Sequence, residues 1–289
     1  RFYCAMPLIN AEGYALGTLC VWDPEPKEME PGAQQCMRQL ARQVLARLNF
    51  RRRILEIEKS KAELISALEV ERASRSRCES LVRSVFPNAV ADLVLENKEV
   101  PPQFFASVSV LFVDFENFTQ AAESLEPRIL IEQLDSYFSS FDRIVRRHRI
   151  EKVKTVGDAY MCVAGLLDTS NTHAVDTCSA ALEIKEFMDK INADRRRLSL
   201  QEWPVRIGIH SGSVIAGLIG EERVSFDIWG DGVNVAKRMK EKCRPGSINI
   251  SEATFAHVAD RFATEERGAV EAKNKGLIKM YYLLGLLPR

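Results

Sequence analysis

No apolar run in this sequence approaches the roughly 18 residues that a membrane-spanning helix needs, and no secretory leader is visible. The reading is therefore of a stretch without a membrane span of its own. An excess of one charge is also lacking. Lysine plus arginine number 40 and aspartate plus glutamate number 40, for a formal net charge of zero. Such a balance leaves no basic footprint for nucleic acid and no attraction to an anionic membrane. Paired cysteine spacing is missing too: Cys4, Cys20, Cys36, Cys78, Cys162, Cys178 and Cys243 are odd in number and scattered. They read as reduced, mostly buried side chains of a cytoplasmic protein. No GxxxxGK[ST] phosphate loop occurs. Histidine is scarce, and His148, His173, His210 and His257 all read as packing or surface residues rather than as a general base.

What is present is substantial. With 289 residues and 46% apolar content, the chain can bury more than one core. It opens at Arg1 in a strand-like run and so reads as cut from something longer. Phe2 to Ile9 and Tyr14 to Val21 are expected strands around an Asn10-Ala11-Glu12-Gly13 turn, ended by Asp23-Pro24-Glu25-Pro26. A lone hairpin is marginal in water, which implies partner strands before residue 1 or on another chain.

From Gln34 to about Val85 the pattern is helical and unusually long. Ile54, Ile57, Leu64, Leu68, Cys78, Val82 and Val85 fit a seven-residue repeat, with Lys61, Glu71 and Arg75 filling polar seam positions. That spacing favours a weak parallel two-stranded coiled coil over one long helix packed on its own domain. An earlier stripe of Met37, Leu40, Val44 and Leu48 is out of register with it, so a phase change is expected near residue 50.

Beyond Phe86-Pro87 strands and helices alternate. Strands are expected at 107–113, 152–156, 159–164, 205–210, 214–218, 247–250 and 280–284, with helices at about 119–147, 172–191 and 234–242. This β-α-β-β-α-β order with C-terminal additions predicts an α+β fold with helices on one face of a mainly antiparallel sheet. The expected division is 1–33, a helical segment at 34–83, and a C-terminal domain at 84–289.

Three segments concentrate the chemistry. Asp114 ends an apolar strand in LFVDFENFT, and an acid there belongs at a sheet edge, because unpaired burial costs several kcal/mol. Asp158 follows Gly157 in a turn of KTVGDAYM. If the 107–113 strand lies beside that hairpin, the two carboxylates converge, and paired hard oxygens suit magnesium or manganese with phosphates completing the shell. Alone, either aspartate is more often a cap or turn residue. In the third segment, DIWGDGVNVAKRM, Asn234 and Arg238 share one helical face where both reach an anion, and Asp231 stands as a possible N-cap.

With IGIHSGSVIAGLIG at 207–220, these motifs in order resemble the catalytic domain of class III nucleotidyl cyclases over residues 84 to 285. The resemblance implies that Asp114 and Asp158 bind two divalent cations, Mg2+ or Mn2+, with the Phe115 carbonyl as a further ligand. It implies substrate-binding positions at Thr119 and at Lys154 and Asp227, the latter two selecting the base. Asn234 orients the ribose, Arg238 stabilises charge on the α-phosphate, and Lys273, or Lys275 beside it, contacts the terminal phosphates. Adenine offers an acceptor at N1 and a donor at N6, matching a lysine and an aspartate. Against guanine the same pair leaves polar groups unmatched, a loss of roughly 1 to 3 kcal/mol. ATP is thus the implied substrate and cyclic AMP the product. A guanylyl cyclase and a nucleotide-binding pseudo-cyclase are the alternatives, and a polymerase palm is disfavoured by the missing basic groove.

The same resemblance implies a homodimer with two shared sites, Asp114 and Asp158 coming from one chain and Lys154, Asp227, Asn234 and Arg238 from the other. Residues 1–33 are similar to the closing strands of GAF sensor domains, which implies that the following helix carries an upstream signal to the cyclase domain.

Overall fold

Asn10 builds the first turn. Its Oδ1 accepts hydrogen bonds from the backbone N–H of Glu12 at 3.1 Å and of Tyr14 at 2.8 Å, folding β1 (Phe2–Ile9) onto β2 (Ala15–Asp23) as an antiparallel pair. This computed structural model describes residues 1–166, 171–272 and 276–288, leaving aside the side chains of 88, 89, 119, 121, 124 and 272. The chain divides into two units, 1–78 and 79–289.

In the first unit, Pro31 opens α1 (Pro31–Val85), an uninterrupted helix of 55 residues. Its buried residues are Met37 and Ala41, one turn apart, whereas Leu40 and Leu48 of the expected stripe face solvent. The heptad residues Ile54, Ile57, Leu64 and Leu68 are exposed, so this stretch is not packed on a core within its own unit.

The second unit is built on an eight-stranded sheet in the order β4-β5-β3-β6-β8-β10-β9, with β7 also pairing with β6. Its elements are α2 (Asn88–Leu95), β3 (Gln103–Phe115), α3 (Phe118–Ser124), α4 (Pro127–Arg147), β4 (Glu151–Val156), β5 (Ala159–Ala164), α5 (His173–Arg197), β6 (Val205–Ile219), β7 (Ser225–Trp229), α6 (Asp231–Glu241), β8 (Ser247–Ser251), α7 (Glu252–Val258), β9 (Phe262–Ala272) and β10 (Gly276–Leu286). Pairing is antiparallel except between β6 and β8. The expected βαββαβ arrangement is therefore present, with β8 to β10 added at one edge.

Several expectations need correction. The single helix over 119–147 is two, because Pro127 lacks an N–H, disfavours helical geometry at Glu126, and starts α4 afresh. The two strands over 205–218 are one continuous β6, and β3 absorbs the change of register with an irregularity between Phe105 and Val108. The short elements α2, β7 and α7, and the strand β9, were not expected. Asp231 is the first helical residue of α6, and Gly230, at φ 128°, occupies the cap. Of the cysteines, Cys162, Cys178 and Cys243 are buried, Cys4 is half-buried, and Cys20, Cys36 and Cys78 are exposed.

Helices also cover both faces rather than one. Strand alternation sends Leu111, Val113 and Phe115 into a core with α4 and α5, and sends Val108, Val110 and Phe112 into a second core with Val90 of α2 and Ala236 of α6. Asp114 follows the second series and so lies on the face covered by α6.

Gly208 permits that cover. A Cβ there would lie 2.1 Å from the backbone N and 2.6 Å from the Cα of Lys240, so only glycine allows α6 this close to β6. From the other side, the fully buried Asn249 amide donates to the Met239 carbonyl at 2.8 Å, and Arg267 donates to Asn249 Oδ1 and to the Lys242 carbonyl, each at 2.9 Å. Gly208→Ala is expected to push α6 off the sheet, costing about 1 to 3 kcal/mol in denaturant unfolding. A larger drop in activity than in stability is expected with it.

Candidate active site

Register and alternation assemble the site. Asp114 pairs with Arg206 across β3 and β6, and the next pair on that face is Phe112 with Gly208. Val113 pairs with Tyr160 of β5, which brings the β4–β5 turn, with Gly157 at φ 64°, to the end of β3. Asp158 and Asp114 consequently face each other. Burial raises the Asp158 carboxyl above the usual aspartate range, and the nearby Asp114 charge pushes it further up. Lys240 and a hydrogen bond from the Phe115 backbone oppose that shift.

Asp114 is only 5% exposed. Its Oδ2 accepts from Arg206 Nη2 at 2.8 Å and lies 3.1 Å from Lys240 Nζ. Arg206 Nε and Glu116 Oε2 are 2.9 Å apart yet outside hydrogen-bond alignment, so that contact is charge attraction between two buried atoms. Arg206, Lys240 and Glu116 escaped the sequence reading. Only the cross-strand register and the closeness of α6 reveal them.

The ring of Phe115 is buried among Tyr137, Phe138, Phe141 and Trp203, with centroids 5.6 to 6.4 Å away, which leaves its backbone alone to serve the site. Thr119 lies in α3 without a described side chain, and Lys273 falls outside the described residues.

The remaining expected residues gather elsewhere. Lys154 of β4 forms a short ion pair with Asp227 of β7, whose other oxygen accepts from the Ile228 N–H at 2.9 Å. Asn234 is exposed, and Arg238 pairs with Glu241 on its own helix. Lys240 follows Arg238 by two positions, about 200° around the helix, so α6 offers Lys240 to Asp114 and turns Asn234 and Arg238 elsewhere. Among the described residues, no hydrogen bond or ion pair joins Lys154, Asp227, Asn234 or Arg238 to Asp114 or Asp158.

Two facing carboxylates and a backbone carbonyl at a strand end are hard oxygen donors, and their mutual repulsion is what a dication relieves. Among the described residues, no group of three or more His, Cys, Asp or Glu side chains is placed to hold a metal. Two carboxylates and a carbonyl oxygen are the donor chemistry that suits Mg2+ or Mn2+. The histidines offer no rival site. His148 meets Glu183 at 2.9 Å, His210 meets Ser251 at 2.8 Å, and the buried His173 lies between Ser107 and Ser109.

Residues 100–285 match the adenylate and guanylate cyclase catalytic domain. The chain belongs to that family, the class III nucleotidyl cyclases. An adenylate cyclase of Mycobacterium tuberculosis is 33% identical over 217 residues, covering 75% of this chain and 48% of that protein. The receptor-type guanylate cyclase gcy-23 of Caenorhabditis elegans is 34% identical over 234 residues, covering 79% of this chain and 21% of its own length. The chain thus spans about half the mycobacterial relative and about a fifth of the nematode one. In structure, the guanylate cyclase domain of RhGC from Catenaria anguillulae in complex with GTP aligns at a TM-score of 0.60 and 30% identity, over 64% of this chain and all of that domain. The cyclase domain thus has relatives named for each of the two purine nucleotides, and the sheet end bearing Asp114 and Asp158 is the catalytic domain's own. No described helix is long and apolar enough to cross a membrane.

Proposed function

We propose that this chain is an adenylyl cyclase that converts ATP to 3′,5′-cyclic AMP and pyrophosphate at sites shared between two copies. The observation that carries the base preference is the Lys154–Asp227 pair, a donor on β4 and an acceptor on β7 already held together. Lysine donates to adenine N1 and aspartate accepts from N6, with neither group left unpaired. The mycobacterial relative named an adenylate cyclase supports the same choice.

Asp114 and Asp158 would hold divalent metal, Mg2+ or Mn2+, which when bound lowers the pKa of the ribose 3′-hydroxyl and neutralises the triphosphate. Asn234 positions the ribose, and Arg238 meets the charge that builds on the α-phosphate as the 3′-oxygen attacks in line and pyrophosphate leaves. Arg238 must first leave Glu241. Lys273 is proposed for the terminal phosphates and Thr119 for further substrate contact.

Support for a homodimer comes from three observations. Within one chain, α6 directs Arg238 away from the carboxylates. The sheet also presents an aligned row of Phe104, Ile215 and Trp229, paired strand to strand and 66%, 46% and 38% exposed, an apolar patch suited to a second copy. The exposed heptad residues of α1 suit a parallel coiled coil with the same partner. Residues 1–33 we assign to the end of a GAF-like sensor, and 34–83 to the helix that carries its signal to the domain at 84–289.

Purified protein assayed with ATP and separately with GTP, each with Mg2+ or Mn2+, tests the proposal. Cyclic AMP from ATP is expected. Cyclic GMP as the main product would move the assignment to the guanylyl side, and a folded dimer that binds nucleotide without product would make it a pseudo-cyclase. Lys154→Glu sets two carboxylates against adenine and is expected to lower kcat/KM for ATP by about 10- to 100-fold.

A further inference from the structure

Lys240 has no role in the reaction described above, yet its Nζ is 3.1 Å from Asp114 Oδ2 and its side chain is only 12% exposed. We propose that Lys240 is an internal counter-cation that holds Asp114 until metal competes it away, so that metal loading and the seating of α6 are opposed. The proposal rests on the reading of Asp114 and Asp158 as metal ligands.

Three carboxylates (Asp114, Asp158 and Glu116) meet two cationic side chains here, Arg206 and Lys240. A dication added to that set reverses its net charge, and one resident cation becomes surplus. Arg206 is tied to both Asp114 and Glu116, at 2.8 and 2.9 Å, whereas the ion pair of Lys240 is with Asp114. An ammonium on a flexible four-carbon stem also yields more readily than a planar guanidinium held at two points. Lys240 is therefore the group that moves. Its helix also carries Asn234 and Arg238, so release of Lys240 frees one tether of the element bearing both.

The test is titration of the 289-residue chain with Mn2+ alone, without nucleotide, following free Mn2+ by its paramagnetic resonance signal. Wild type, Lys240→Met, Lys240→Gln and Asp114→Asn are compared, and melting temperatures are recorded in chelator and in saturating Mn2+. Lys240→Met is expected to bind Mn2+ about tenfold more tightly, since a positive charge a few ångströms from the dication is gone. It should melt below wild type in chelator, and saturating Mn2+ should narrow that gap. Lys240→Gln, which keeps a donor for Asp114, carries the same test if the methionine variant does not fold, and should also bind more tightly. Unchanged or weaker Mn2+ binding in both Lys240 variants overturns the competition while leaving the metal site standing. Mn2+ binding that Asp114→Asn leaves intact overturns the metal reading itself and the proposal with it.

Discussion

Asp114→Asn and Asp158→Asn will each reduce cyclic nucleotide formation by about a thousandfold or more, yet they will move the melting temperature in opposite directions. Both carboxylates are proposed to hold the same pair of divalent cations, so activity alone does not tell them apart. Their surroundings do. Asp114 is buried between Arg206 and Lys240, and its loss takes the carboxylate from the largely buried Lys240 and leaves Arg206 with Glu116 alone. Breaking such a pair costs about 2 kcal/mol or more, equivalent to roughly 5 °C in a domain of this size.

Asp158 is in the reverse position. Burial first and Asp114 second raise its folded-state pKa above the unfolded value. A carboxyl with a raised folded pKa loses stability as it ionises, so the penalty is present at neutral pH and fades as pH falls through the folded pKa. Asp158→Asn removes that penalty and should melt above wild type at pH 7, with the difference closing in acid. Calorimetry across pH, without metal, checks both signs. A fall in melting temperature for Asp158→Asn would show that its hydrogen bond from the Phe115 backbone outweighs the repulsion.

Mixing two dead variants should restore activity. Asp114→Asn and Arg238→Ala damage different halves of each proposed shared site. In a mixed dimer, one site collects both lesions and the other collects none. If the chains exchange freely, half of the dimers are mixed and each carries one intact site, so about one quarter of wild-type activity should return. Each variant alone remains inactive. Co-expression with two different tags, followed by tandem purification, isolates the mixed dimers, which should then show about half of the wild-type activity per dimer. Absence of recovery in a verified mixed dimer would place Arg238 and Asp114 in one chain's site, against the direction α6 gives them.

Much of this was legible in the residues. The turn at Asn10, the strands around Gly157-Asp158 and the face shared by Asn234 and Arg238 follow from short-range chemistry, and each lies where its local pattern put it. Asp114 at its strand end and Asp158 beside its glycine also lie where the local pattern set them, because strand-end acids and glycine turns are sequence-local devices. What stayed hidden depends on distance in sequence. Arg206 and Lys240 lie far along the chain from Asp114 and reach it through strand register and through the missing Cβ of Gly208. The expected helix over 119–147 failed for a different reason: apolar spacing runs on through Pro127, and the proline outweighs it. Strand β9 was missed because its Thr-Glu-Glu-Arg-Gly run carries little apolar alternation and is held by pairing with β10.

The two carboxylates are also mounted differently. Asp114 stands next to Phe115, whose ring is wedged among Tyr137, Phe138, Phe141 and Trp203 in a dry aromatic packing. Asp158 stands on a two-residue turn with Gly157, between the exposed Val156 and Gly157 before it and the buried Ala159 after it. One acid thus rides on a strand inside the sheet and the other on a hairpin turn. If both acids hold metal as proposed, a displacement of that turn changes the gap between them while Asp114 keeps its place on β3.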